Sequence, residues 1–410
     1  MEITSDNILD IKERAIKLWE YCGLDAEDYY SEDYVEIGEQ TINFSFPGDE
    51  DCVQITVDDL ISITDKLDTY EEKGEATVRC ANLSQTVIDI EYNWYYDGEI
   101  LNEVYETDSF VASIVEEPIL IGVRNLRHEC YNYDFWSPCR CFHAVEFRYK
   151  EGIKKLPYEQ ELEEIYRFLF ALNIKNNYLI RISELPEIEK GDLIGNEGFE
   201  ESDLENYDFS KESEQIIHKS SDLPKRSPML KMYIDALSIR DKSLRFLLFY
   251  KIIEYISPII ANSILYKRLE ARLNIGVFSK KGESYYNSII DLVHHYNRSI
   301  SDAELASTVL TECCDIELSV PYIPDSVWRL MLRDSGVSAN RKIEDLTNDD
   351  FVKLNISLGK ILYATRNSIV HAKSNYAPTG RECPYKDIGK LNEFMKVLCY
   401  AVIMHNNNID

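Results

Sequence analysis

The period of the apolar pattern changes near Pro228, and that change limits the possible folds more than any other feature of the chain. From Tyr34 to about Tyr149 apolar residues come in short alternating runs, as half-buried strands require. After Pro228 they recur almost without interruption at the three- and four-residue spacing of packed helices. A chain of 410 residues is long enough for a separate core on each side of the change. The expected architecture is a mixed α+β domain over 1–183, an acidic linker or loop over 184–227, and an all-α helical bundle over 228–410.

Charge divides at the same place. Of the net −29, residues 1–225 contribute −32 (20 Lys+Arg against 52 Asp+Glu) and residues 226–410 contribute +3 (24 against 21). An acidic surface repels nucleic acid, whereas the helical part carries no such barrier. No run of eighteen apolar residues occurs, and Met1 to Glu20 is charged rather than secretory in pattern. Ten scattered cysteines form no extracellular framework. These features predict a cytoplasmic protein with reduced thiols and no membrane partner.

In the first domain the spacing predicts a helix over Ser5–Tyr21 and strands at Val35–Ile37, Ile42–Phe46 and Val53–Val57, with Pro47-Gly48-Asp49 as a turn. Val87–Tyr96, Asp97-Gly98 and Glu99–Tyr105 read as a hairpin. Strands are expected at Ile119–Val123, His143–Tyr149 and Tyr178–Ile182, with a helix at Leu156–Asn173. In the second domain helices are expected near 229–239, 242–273, 283–297, 302–314, 325–334, 348–373 and 387–405, with Ser257-Pro258 kinking or breaking the second.

Tyr363 to Tyr376 concentrates the chemistry of the helical domain. On a wheel of ~100° per residue with Arg366 at zero, Leu358, Leu362 and Ile369 form one apolar stripe. Tyr363, Asn367 and His371 fall on an adjoining arc. A cation, an amide and an imidazole can thus be presented beside a face packed in a core.

Arg366-Asn367-Ser368-Ile369-Val370-His371 resembles the arginine, polar residue, spacer and histidine motif of HEPN domains, helical bundles that often act as metal-independent ribonucleases. The segment from about Pro228 to Asp410, with its early Phe246–Tyr255 helix, is similar to the HEPN branch of ApeA-like antiphage proteins. The resemblance implies a homodimer in which two motifs face each other, an RNA substrate, and a role in abortive-infection defence triggered by a phage or host protein. It also implies that no cofactor is needed for cleavage.

Such cleavage requires a proton taken from the 2′-hydroxyl, a proton given to the leaving oxygen, and stabilisation of the extra phosphorane charge. Imidazole suits the proton work, and His371 of two protomers would supply acid and base. Arg366 suits the charge, since its forked cation holds two phosphate oxygens. Asn367 could orient His371 or bond the phosphate. Lys373, Tyr376, Arg381 and Lys386 are candidates for holding the RNA, Glu254 for buttressing Arg366, and Tyr363 for a supporting role. Tyr376 stands five residues after His371, so the His-x-Tyr extension of some toxin-type HEPN proteins is absent.

A second group, His128, Cys130, Cys139, Cys141 and His143, has donors suited to zinc, with Cys139, Cys141 and His143 sharing a face if they lie on one strand. It is equally compatible with side chains packed on a sheet. A competing functional reading is a non-catalytic HEPN-like scaffold whose acidic first domain binds a protein. A third is a zinc-dependent hydrolase centred on Cys130 to His143.

Overall fold

The computed structural model describes residues 1–25, 35–44, 53–91, 101–130, 138–139, 142–176, 179–185, 216–219, 223–224, 227–276, 282–298, 301–371 and 377–406. It divides into two compact units, Met1–Leu223 and Pro224–Asp410. The first is α+β and the second is all-helical. Among the described residues no helix is long and apolar enough to cross a membrane.

The first unit opens with helix α1 (Ile8–Tyr21), which buries Ile11, Ala15, Leu18 and Trp19 at helical spacing. Strands β1 (Thr41–Phe44) and β2 (Val53–Thr56) form an antiparallel pair, followed at once by helix α2 (Val57–Asp65). Thr56 caps α2 by accepting the Asp59 N–H, and Asp58 and Asp59 sit in its positive first turn. That capping pattern is readable, yet the apolar run to Val57 reads first as strand.

The remaining strands are β3 (Glu71–Lys73), β4 (Thr77–Cys80), β5 (Leu83–Glu91), β6 (Glu103–Glu106), β7 (Phe110–Glu116), β8 (His143–Tyr149), β9 (Leu179–Ile182) and β10 (Ile216–Lys219). They form one sheet in the order β10-β6-β7-β8-β5-β4-β3, with β9 also on β5. All pairings are antiparallel except β10 with β6. Helices α3 (Ile119–Arg127) and α4 (Tyr158–Asn176) lie on opposite faces of this sheet. The adjacent residues Ser84 and Gln85 point to opposite sides. Ser84 Oγ donates to Glu161 of α4, while Gln85 Oε1 accepts the Leu120 N–H of α3.

Four local expectations are corrected. The described ends of the expected hairpin, Val87–Glu91 and Glu103–Tyr105, do not pair with each other, while 92–100 lie outside the described residues: β5 has β8 along one edge and β4 then β9 along the other, since Ile88 opposes both His143 and Ile182. Strand β6 instead turns tightly into β7. Ile119–Val123 is the start of α3, with Pro118 before it and Arg124 and Arg127 in its last turn; a short apolar run has no period by which to tell strand from helix. Val35–Ile37 is not a strand; the adjoining Gly38 and Glu39 exchange backbone hydrogen bonds with Ile3. Within the expected linker 184–227, Ile216–Lys219 joins the sheet as β10.

The second unit comprises α5 (Ser227–Ser238), α6 (Lys242–Gly276), α7 (Glu283–Arg298), α8 (Asp302–Cys313), the single turn α9 (Ile316–Ser319), α10 (Asp325–Ser335), α11 (Asn348–Val370) and α12 (Ile388–Asn406). Helix α6 packs against α5, α7, α8, α11 and α12, and α11 also against α8 and α10. Phe246, Phe249 and Ile253 of α6 are buried, as are Leu310, Leu358, Leu362, Phe394 and Leu398 from its neighbours. Pro258 does not break α6, which continues as helix for 35 residues. Ser257 Oγ donates to the Ile253 carbonyl at 2.5 Å beside it. Helices α8 and α11 meet backbone to backbone at Gly359, where an added Cβ would stand 2.6 Å from Ser307 Cα.

Candidate active site

Helix α11 begins with a reciprocal cap: Thr347 Oγ1 accepts the Asp350 N–H, and the Asp350 carboxylate accepts from the Thr347 backbone. Leu354, Leu358, Ile361 and Leu362 then bury its apolar face. Thr365 is fully buried; its hydroxyl donates to the Ile361 carbonyl and accepts the Cys383 N–H at 2.9 Å. The connection to α12 is thereby tied to the last turns of α11.

Arg366 and Asn367 follow, both half-buried. Arg366 Nε stands 3.3 Å from Glu254 Oε1 on α6, the ion pair suggested by the family resemblance. A terminal Arg366 nitrogen donates to Asn367 Oδ1 at 3.1 Å. The guanidinium is therefore held from two sides, one charged and one neutral, with 31% of the side chain still exposed. Tyr250, one turn before Glu254, is buried beside them; burial pushes its phenol up, Glu254 adds to the rise and Arg366 opposes it. Tyr363 and Asp302 act on the same phenol. Tyr250 and Asp302 were not singled out from the sequence, although the i, i+4 spacing of Tyr250 and Glu254 was a signal for the first.

The expected helix to Lys373 ends earlier. Val370 is its last residue and His371 is the exposed C-cap, its N–H bonded to the Asn367 carbonyl at 2.9 Å. Asn367 and His371 thus remain one turn apart at the C-terminal end of the helix. Lys373 and Tyr376 lie outside the described residues. Arg381 is engaged with Asp334 at 2.8 Å, and Arg333 reaches both Asp334 and the Gly380 carbonyl. Lys386 is exposed on the short turn Tyr385–Asp387, whose Tyr385 ring carries the Lys242 ammonium at 3.9 Å.

A cavity of about 430 Å³ in this unit, lined by Trp328, Leu332, Arg341 and Glu344 among others, adjoins the other end of α11. Helix rise puts that end roughly 25 Å from Arg366.

The described members of the cysteine–histidine group each make contacts of their own. Strand β8 begins at His143, so Cys139 does not share a strand face with it, and Cys141 lies outside the described residues. Cys130 Sγ accepts from Arg124 at 3.7 Å, His128 bonds Glu72 at 3.0 Å, and His143 stands 3.5 Å from Glu116. Cys139 is buried in an apolar cluster. Among the described residues no three His, Cys, Asp or Glu side chains gather to hold a metal ion. Tyr105 of the tyrosine-rich strands is a core residue against Phe168 and Phe110. No protein-family model, curated protein or solved structure matches the chain.

Proposed function

We propose that the helical unit is a metal-independent endoribonuclease of HEPN type, acting as a homodimer in antiphage defence. The observation that supports this most is the Arg366 guanidinium, fixed by Glu254 and Asn367 yet open to solvent, with His371 one turn beyond Asn367. In this reading Arg366 holds the scissile phosphate. The two His371 side chains of a dimer exchange the protons of 2′-hydroxyl attack and leaving-group departure. Asn367 orients the guanidinium, and the product carries a 2′,3′-cyclic phosphate. The acidic first unit would receive the phage or host trigger.

The test is RNA cleavage in excess EDTA. We expect His371→Ala and Arg366→Ala each to lower the rate ~100-fold or more. Equal rates for wild type and His371→Ala would reject the role of His371, and a requirement for added metal would reject the mechanism. The rival reading, a non-catalytic scaffold, is favoured by the same ion pair, because a closed Arg–Glu contact also serves packing. Host growth arrest that Arg366→Ala relieves with the fold intact would exclude it.

A further inference from the structure

The first unit holds a cavity of about 610 Å³ lined by Glu71, Arg79, Lys154, Lys155, Leu156 and Pro157, within the range of small-molecule sites. Two of its cationic nitrogens lack acceptors. Arg79 of β4 is 4% exposed. Its terminal nitrogens reach Glu71 at 3.3 Å, Glu161 at 3.2 Å and the Leu156 carbonyl at 2.7 Å. Both carboxylates have other donors: Glu71 is 3.0 Å from the Lys73 ammonium, and Glu161 accepts from Ser84 Oγ and the Tyr149 hydroxyl. Arg79 Nε and Lys155 Nζ are each buried without a hydrogen-bond partner. A buried cationic N–H without an acceptor is costly, and here two occur in the part of the chain where acids exceed bases by 32.

We propose that this cavity binds a phosphate-bearing small molecule, its phosphate oxygens accepting from Lys155 Nζ and Arg79 Nε. An ammonium offers three donors and a guanidinium edge a directed one, which suits an oxyanion with several acceptor oxygens. The cavity also precedes the first turn of α4, whose dipole favours negative charge. Leu156 and Pro157 provide an apolar wall for the rest of the ligand, and the exposed Lys154 and Pro157 mark the mouth. The neighbouring Arg79 adds to the effect of burial in holding the Lys155 ammonium below the usual lysine range, and a bound anion would reverse that.

The experiment is a thermal-shift and calorimetric titration of the full chain with inorganic phosphate, pyrophosphate and AMP, against sodium chloride at matched ionic strength and against citrate. We expect at least one phosphate compound to raise Tm beyond the chloride control. Lys155→Met should weaken its Kd at least tenfold while leaving the ligand-free Tm equal to or above that of wild type. Tighter binding of AMP than of phosphate would assign the apolar wall to a nucleoside; equal binding would assign recognition to the phosphate alone. Shifts no larger than chloride, a shift with citrate only, or an unchanged Kd in Lys155→Met would each overturn the proposal. None of these readouts depends on RNA cleavage.

Discussion

At Thr365 one buried hydroxyl links the end of α11 to the chain that follows, because it accepts the only N–H that Cys383 has to offer. Removing it leaves that N–H buried without an acceptor. Thr365→Val should therefore lower the unfolding free energy by about 1–3 kcal/mol in urea titrations, with Thr365→Ser retaining most of it. A neutral Thr365→Val would show that the connection is held by apolar contacts alone. Glu254 is a different case, since its side chain is 45% exposed and solvent screens the ion pair. Glu254→Gln should change stability by no more than about 1 kcal/mol. If Glu254 positions Arg366, the same variant should cut RNA about tenfold more slowly, with the loss in kcat rather than KM. A large loss of stability with unchanged cleavage would assign Glu254 to packing.

Helix α11 depends as an element on its two ends and its middle. At the middle, Gly359→Ala would drive a methyl group into the Ser307 backbone, which has no flexible end to move aside. We expect a loss of about 1–3 kcal/mol, read by thermal or urea unfolding. At the start, the Thr347 N–H and hydroxyl, helped by Arg341, hold the Asp350 carboxyl at about 2, below its ordinary 3.8. A carboxyl depressed in the folded state stabilises it above the ordinary value, and the contribution fades as pH falls from about 4 towards 2. Asp350→Asn should accordingly flatten the acid limb of a helicity-monitored titration over that interval. An acid limb as steep as in wild type would remove Asp350 from the cap.

At the scale of the molecule, each unit closes its own core. The first builds one around Leu18, Phe44, Leu60 and Leu120, and the second around α6. Two cores of different composition and secondary structure should unfold separately, so calorimetry of the whole chain is expected to resolve two transitions. A single transition with equal calorimetric and van't Hoff enthalpies would mean that the units unfold as one. The division also bears on function, because the acidic excess belongs to residues before 226 and not to the helical unit that is proposed to meet RNA.

Periodicity and capping are local, and they were enough to determine the class of each unit, most helices of the second, and the Arg366-Asn367-His371 spacing on one helix. The Arg366–Glu254 pair was suggested only by the likeness of the Phe246–Tyr255 helix to HEPN domains, not by spacing. Strand partners were not legible, since the Asp97-Gly98 signal could not reveal that β4, β8 and β9 occupy the edges of β5. Nor could a count of acids and bases show that Lys155 would be buried beside Arg79 while the nearby carboxylates took other donors. Helical spacing is set by covalent geometry within a few residues. Which edge is free and which charge is left without a partner depend on residues far apart in sequence, so only the tertiary structure decided them.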